Sequence, residues 1–303
     1  MQRSQRWGLF LLKSIRTHKN SMRKKVAIQG VRGAFHQEAA RDFFGTDIEI
    51  VECITFSELI ESIECGNASF GIMAVENSLV GGILPNYALI RESTLTVIGE
   101  VYLRIVQNLM ALPNQTIDSI VEVQSHPMAL AQCDDFLLQR KNLRVVASDD
   151  TALSAKLISE NNLAGVAAIA SVEAAKEYGL EIIAPSIESN KANYTRFMVL
   201  SPTQNNETQI KSNKASIAFA LPHKSGSLQN ALQSFSRYGI NLTMLHSLPQ
   251  VGQCWEYYFH ADVVFRHIDD FNLALKSLKN HTNYLRVIGV YSAGNFINKN
   301  STN

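Results

Sequence analysis

The chain lacks most of the residue patterns that mark specialised architectures. Only 18% of its 303 residues are charged and the formal net charge is +1, which excludes a disordered polyelectrolyte. Its four cysteines, Cys53, Cys65, Cys133 and Cys254, stand far apart with no C-x-x-C pair. That spacing fits neither a disulfide framework nor a zinc site, so the thiols are read as reduced small hydrophobes, mostly buried. No apolar run approaches the ~20 residues that span a bilayer, and no membrane association is expected. Phosphate loops are missing as well. Gly30-Val-Arg-Gly33 lacks both the third glycine of a dinucleotide fingerprint and the Gly-Lys-Ser/Thr of a P-loop. With no metal-spaced cluster of His, Cys or Asp, neither a metal nor any other cofactor is expected.

Acidic residues are absent from the first 25 positions, which hold eight Lys or Arg and leave 20 basic against 27 acidic residues elsewhere. The body is therefore anionic, and nucleic acid is not an expected partner. The apolar stretch 7–12 is too short for a signal-peptide core and has no small-residue cleavage site. An arginine-rich transit peptide is one reading of this leader. The preferred one takes Met22 as the start, residues 1–21 as an unstructured extension, and the cytoplasm as the location.

What is present is an ordinary globular composition, 46% hydrophobic, with short apolar runs alternating with helical periodicity. That alternation is the signature of an α/β domain. Strands are expected near 26–28, 48–51, 70–75 and 166–170, with apolar strand material over 101–112. Thr55 and Glu58 form a capping box that opens a helix, a second helix opens at Ser125-His126-Pro127, and a third near Asp150. Residues 202–213 are polar and turn-rich and read as a linker. Beyond it, residues 214–294 show the order β-α-β-β-α-β of a ferredoxin-like unit. The expected division is a basic extension (1–24), a catalytic unit (25–201), the linker, this α+β domain, and a tail (295–303).

Singly, the polar candidates leave two readings each. Gly30 to Gly33 sits between a strand and a helix, where backbone amides can hold an anion, or is a plain tight turn. Glu76-Asn77-Ser78 leaves a buried strand at its carboxyl end, where open α/β sheets bind ligands, or is a turn. Ser125 and Gln132, seven apart, fall on one helical face, or are a cap and a surface amide. Thr195 is a site residue or a simple β-former, and Arg196 binds an anion or forms a structural ion pair.

Several motifs occur in order: Gly-x-x-Gly-x-Phe-x-x-x-Ala-Ala (30–40), Val-Glu-Asn-Ser with Gly81 (75–81), Ser-His-Pro-x-x-Leu-x-Gln-Cys (125–133), Asp-Thr-Ala (150–152), Ala-Ala-Ile-Ala-Ser (167–171) and Asn-x-Thr-Arg-Phe (193–197). Residues 25–201 thus resemble the prephenate dehydratase family, and the tail resembles the ACT domain usually fused to it. The resemblance implies a two-lobed catalytic domain built like a periplasmic solute-binding protein, with prephenate in the cleft, and a C-terminal regulatory domain of ACT type. It implies catalytic roles for Thr195, Glu76 and Gln132, and substrate contacts from Asn77, Ser78, Ser125 and Arg196. Phenylalanine would bind at an interface between ACT domains, near Gly226, Ser227, Leu228 and His246, in a homodimer or homotetramer. Two departures stand out. His36 occupies a position where many members carry serine, and His246-Ser-Leu-Pro249 replaces Glu-Ser-Arg-Pro, which predicts a weakened phenylalanine site. The same motifs fit arogenate dehydratase, and a non-catalytic two-lobed sensor is the reading from a different class.

Overall fold

The computed structural model describes residues 23–140, 142–203, 212–250, 252–253 and 255–295. Residues 1–22 of the expected extension, the centre of the linker, Cys254 and residues 296–303 lie outside the described residues.

The chain first lays down β1 (Lys24–Gln29), α1 (Phe35–Phe44), β2 (Ile48–Cys53), α2 (Phe56–Glu64), β3 (Phe70–Asn77), a short β4 (Gly81–Gly82), α3 (Leu84–Glu92) and β5 (Thr96–Arg104). It then crosses into a second lobe of β6 (Asn108–Ala111), β7 (Glu122–Ser125), α4 (Pro127–Gln132), α5 (Asp134–Leu138), β8 (Arg144–Ala147), α6 (Thr151–Glu160), β9 (Val166–Ala170), α7 (Val172–Tyr178) and β10 (Glu181–Ala184). From there β11 (Tyr194–Ser201) returns to the first lobe. The first sheet has the order β2-β1-β3-β11-β5 and the second β10-β6-β9-β7-β8. The stretch 101–112, read from sequence as one block of strand material, is therefore two strands in different lobes. Both lobe sheets are mixed, with parallel β1, β2 and β3 joined by antiparallel β11, and each carries its own apolar core.

Local chemistry sets the helix starts. Thr55 accepts from the Glu58 amide at 3.1 Å, the half of the expected capping box that forms, while the Glu58 carboxylate accepts at 2.8 Å from the amide of Ile54, one residue before the cap. Asp150 caps α6 through the Leu153 amide at 2.9 Å. At α4 the cap is His126, whose Nδ1 accepts from the Met128 amide at 3.2 Å. Ser125 ends β7 instead, so it shares no helical face with Gln132. Helix α3 was not legible in sequence because it has no polar face to speak of: Asn86, Tyr87, Ile90 and Arg91 are all buried.

The third unit comprises β12 (Lys214–Ala220), α8 (Ser227–Ser236), β13 (Asn241–Pro249), β14 (Tyr257–Val264), α9 (Ile268–Lys279) and β15 (Tyr284–Tyr291). Its antiparallel sheet runs β13-β14-β12-β15, the ferredoxin-like order. Helices α8 and α9 cover one face with Ala231, Phe235, Phe271, Ala274 and Leu278. The other face is not left to solvent. Ala218, Ile288 and Tyr291 join Tyr87, Ile90, Val97 and Met198 of the first lobe in one core. Strand β15 comes so close to β5 that a Cβ at Gly289 would overlap the Val97 carbonyl oxygen. Arg286 adds hydrogen bonds to the carbonyls of Ser93 (2.6 Å) and Leu95 (2.7 Å).

Candidate active site

Between the two lobes lies a cleft of about 570 Å³. Its apolar walls come from Phe35, Phe56, Ile83, Met128 and Phe197, and its polar groups from Asn77, Gln107, His126, Gln132, Asp149, Asp150 and Thr195. Strand β11 alternates its side chains, so Thr195 and Phe197 face the cleft while Arg196 points to the opposite side of the sheet.

A chain of amides crosses the hinge. Asn77 Nδ2 donates to Asn193 Oδ1 at 2.8 Å and to Thr195 Oγ1 at 3.0 Å. The orientation of this amide is fixed because its Oδ1 accepts from the Leu79 and Val80 amides at 3.0 and 3.2 Å. Asn193, fully buried, passes the link to the second lobe by donating to Gln132 Oε1 at 2.9 Å. Gln107 Nε2 reaches the same oxygen at 3.4 Å. Thr195 Oγ1 thus receives a donor from inside the protein, which leaves its own proton to be directed into the cleft. Gln132 Nε2 has no hydrogen-bond partner among the described residues and is likewise a donor for a ligand.

No Lys or Arg lines the cleft. The donors for an anion are helix starts instead, since α1, α2 and α6 all open on it. The amides of Phe35, His36, Phe56 and Thr151 have no acceptor among the described residues, and each stands in a first turn where the helix dipole favours an anion. His36 presents its ring edge to Phe197 at a centroid distance of 5.0 Å. Burial lowers its pKa to about 4, so it is neutral and adds no charge.

Thr195, Asn77 and Gln132 therefore meet in the cleft, while the other predicted site residues stand elsewhere. Glu76 faces the far side of β3, 3.8 Å from Arg196. Arg196, 3% exposed, is held by Glu100 at 2.7 Å, by Asp262 and by Tyr291 Oη at 3.1 Å. It is the structural ion pair of the two sequence readings, and it ties the first lobe to the third unit. Ser78 donates to the Ala192 carbonyl and accepts from the Tyr194 amide, both at 2.9 Å, which stitches β3 to β11. Ser125, fully buried, donates to the Ile169 carbonyl at 2.6 Å. Neither serine lines the cleft. Gly226 begins α8 in the left-handed region, with Ser227 and Leu228 in its first turn. His246 packs on Tyr87 at 5.4 Å and against Gly82, where a Cβ would lie 2.6 Å from its Nε2; it belongs to the contact with the first lobe. Sequence reasoning missed Gln107, His126, Asp149 and Asp150 as cleft residues and Asn193 as the buried link behind them. The available signals were the place of Asn193 in the Thr-Arg-Phe motif and a lone glutamine in an apolar stretch.

Comparison with known proteins agrees with this fold. The sequence model of the family described as prephenate dehydratase matches residues 26–205. The bifunctional chorismate mutase/prephenate dehydratase of Aquifex aeolicus (strain VF5) is 34% identical over 271 residues, covering 88% of this chain and 73% of that protein. Arogenate dehydratase/prephenate dehydratase 2, chloroplastic, of Arabidopsis thaliana is 36% identical over 282 residues, covering 90% of this chain and 74% of that protein. A prephenate dehydratase of Arthrobacter aurescens, solved in complex with L-Phe, superposes with a TM-score of 0.80 at 26% identity over 88% of this chain and 89% of that one. A protein described as GqqA, a novel type of quorum quenching acylase, superposes with a TM-score of 0.81 at 29% identity over 89% of this chain and 98% of that one. With the family match over residues 26–205 and two curated relatives at 34% and 36% identity along most of its length, this chain belongs to the prephenate dehydratase family.

Proposed function

We propose that the cleft carries out the decarboxylating dehydration of prephenate to phenylpyruvate, with Thr195 as the hydrogen-bond donor to the departing hydroxyl. The observation that carries this reading is the Asn77 Nδ2 to Thr195 Oγ1 contact at 3.0 Å. It occupies an acceptor site on the oxygen and orients the hydroxyl proton outward, so that Thr195 passes its proton to the departing hydroxyl, which leaves as water, and takes a proton back from solvent. Loss of the ring carboxylate as carbon dioxide and of the 4-hydroxyl as water leaves an aromatic ring, so the reaction needs no external electron sink. Gln132 Nε2 and the first-turn amides of α1, α2 and α6 are placed to grip the two carboxylates without a cation. The apolar walls favour decarboxylation by replacing water around the ring carboxylate. Among the described residues the cleft hydroxyls, Thr55, Thr151 and Thr195, make no hydrogen bond to a histidine, the pairing an acyl-transfer nucleophile uses.

The third unit is read as a regulatory domain of ACT type in a dimer or tetramer, with phenylalanine as its effector. Support comes from its ferredoxin-like order, from the L-Phe in the Arthrobacter aurescens relative, and from exposed apolar residues such as Leu273, 45% exposed. Because His246 is turned inward onto Tyr87, phenylalanine binding is expected to be millimolar or absent. A single ultraviolet assay of phenylpyruvate formation, run with and without phenylalanine, tests these readings. Thr195→Ala should lower kcat by roughly 10²- to 10⁴-fold with the fold intact. Retention of more than about a tenth of wild-type turnover would reject the role of Thr195, and inhibition at micromolar phenylalanine would reject the weakened site.

A further inference from the structure

The charged side chains that line the cleft are both carboxylates, Asp149 and Asp150, although the proposed substrate is a dianion. Asp150 is the more informative of the two. It stands at the start of α6 in the second lobe, where its Oδ1 accepts from the Leu153 amide at 2.9 Å. Its Oδ2 lies at the seam with the first lobe, within 2.9 Å of where a Cβ on Gly30 would stand. No Lys or Arg forms an ion pair with it among the described residues. Burial raises its pKa, while the amides of Leu153 and Ala152 and the nearby His126 act in the opposite sense. A carboxylate held half-buried in the lining of a ligand cleft, with one oxygen fixed by the scaffold and the other at the seam between the lobes, is arranged to meet a cation on the ligand. Prephenate has none. Its amino-acid counterpart, arogenate, carries an α-ammonium in place of the keto oxygen and has one net negative charge fewer.

We propose that Asp150 is a specificity-determining residue, receiving the α-ammonium of the amino-acid substrate through Oδ2 and so favouring arogenate over prephenate in this cleft. The inference rests on the dehydratase reading of the same site and refines which substrate that site prefers. The first-turn helix amides serve the two carboxylates common to both molecules, and Asp150 reads the one position at which they differ. Against prephenate the same carboxylate acts as a repulsive element, which is how a binding site gains discrimination beyond its attractive contacts.

The test is steady-state kinetics of the full chain with L-arogenate and with prephenate, for the wild type, Asp150→Asn and Asp150→Ser. Both replacements keep a side-chain oxygen that can cap α6, and Ser serves as the second variant should Asn impair folding. The wild type is expected to show a higher kcat/KM for arogenate. Each variant should lower the ratio of kcat/KM for arogenate to kcat/KM for prephenate at least about tenfold, the magnitude of a charge-assisted hydrogen bond. A parallel fall for both substrates would overturn the proposal, because it marks a structural role for the cap. A wild-type preference for prephenate that the variants leave unaltered would overturn it as well. Wild-type turnover of one or both substrates keeps the dehydratase reading standing whatever the ratio; turnover of neither would overturn that reading and this inference together.

Discussion

Removing the Arg196 guanidinium tests where this residue acts. Arg196→Ala takes one cation out of a buried set in which Glu100 (1% side-chain exposure) and Asp262 (0%) both face the guanidinium. The two acids do not suffer equally. Glu100 keeps Lys214 Nζ at 2.8 Å, but Asp262 is left with the Ser216 hydroxyl at 2.5 Å as its remaining side-chain hydrogen bond and no cation. Stranding a buried carboxylate in this way costs about 3–5 kcal/mol, on the order of 10 °C in Tm for a chain of this size. Urea unfolding at pH 7 measures it. A second variant sharpens the reading: Asp262→Asn in the Arg196→Ala background removes the stranded charge and should restore at least about 1 kcal/mol relative to additivity. A single-variant loss below about 1 kcal/mol, or strict additivity of the two changes, would refute the structural account. So would an Arg196→Ala protein of wild-type stability whose KM for substrate had risen tenfold, because that is the signature of a guanidinium bound to a substrate carboxylate.

Two further outcomes follow from the cleft. Asn193→Ala cuts the amide chain at its buried centre, leaving Asn77 Nδ2 and Gln132 Oε1 each without a partner now at 2.8 and 2.9 Å; stability should fall by about 1–3 kcal/mol and kcat by about tenfold or more, and a kcat within twofold of wild type would show that the chain does not position Thr195. His36 has a folded-state pKa of about 4 against 6.5 in the unfolded chain, so between those values the unfolded state alone takes up the proton and stability declines as pH falls. The loss is at most about 3 kcal/mol, because the ring keeps one edge on the cleft. His36→Asn should flatten the fall in the urea midpoint between pH 7 and pH 4.5, and an equally steep fall in the variant would refute the assignment. His260, with a pKa near 3 from burial and from Arg91, contributes the same sign in both proteins and does not confound the difference.

Much of this protein is written locally. The Thr55 cap, the Asp150 cap, the β-α-β-β-α-β order of the third unit and the last strand Tyr284–Tyr291 all follow from short-range periodicity and hydrogen-bonding chemistry. The motif series likewise pointed to Thr195, Asn77 and Gln132, and these three meet in the cleft. What sequence could not decide is which side of a sheet a residue faces and which lobe a strand joins. The crossing at residues 105–107 divides one apolar stretch between two sheets, because strand pairing is settled by partners distant in the chain. Glu76 and Arg196 sit beside true cleft residues, yet the alternation of a β-strand turns them to the opposite face, where the third unit supplies their surroundings. Ser78 and Ser125 carry hydroxyls of the right type, and both are consumed by backbone carbonyls that arrive from other elements. Helix α3 has no amphipathic pattern because a second domain covers the face that would otherwise be polar. A residue's type and spacing fix what it is able to bond, whereas its partner is fixed only when the long-range contacts of the folded chain compete for it.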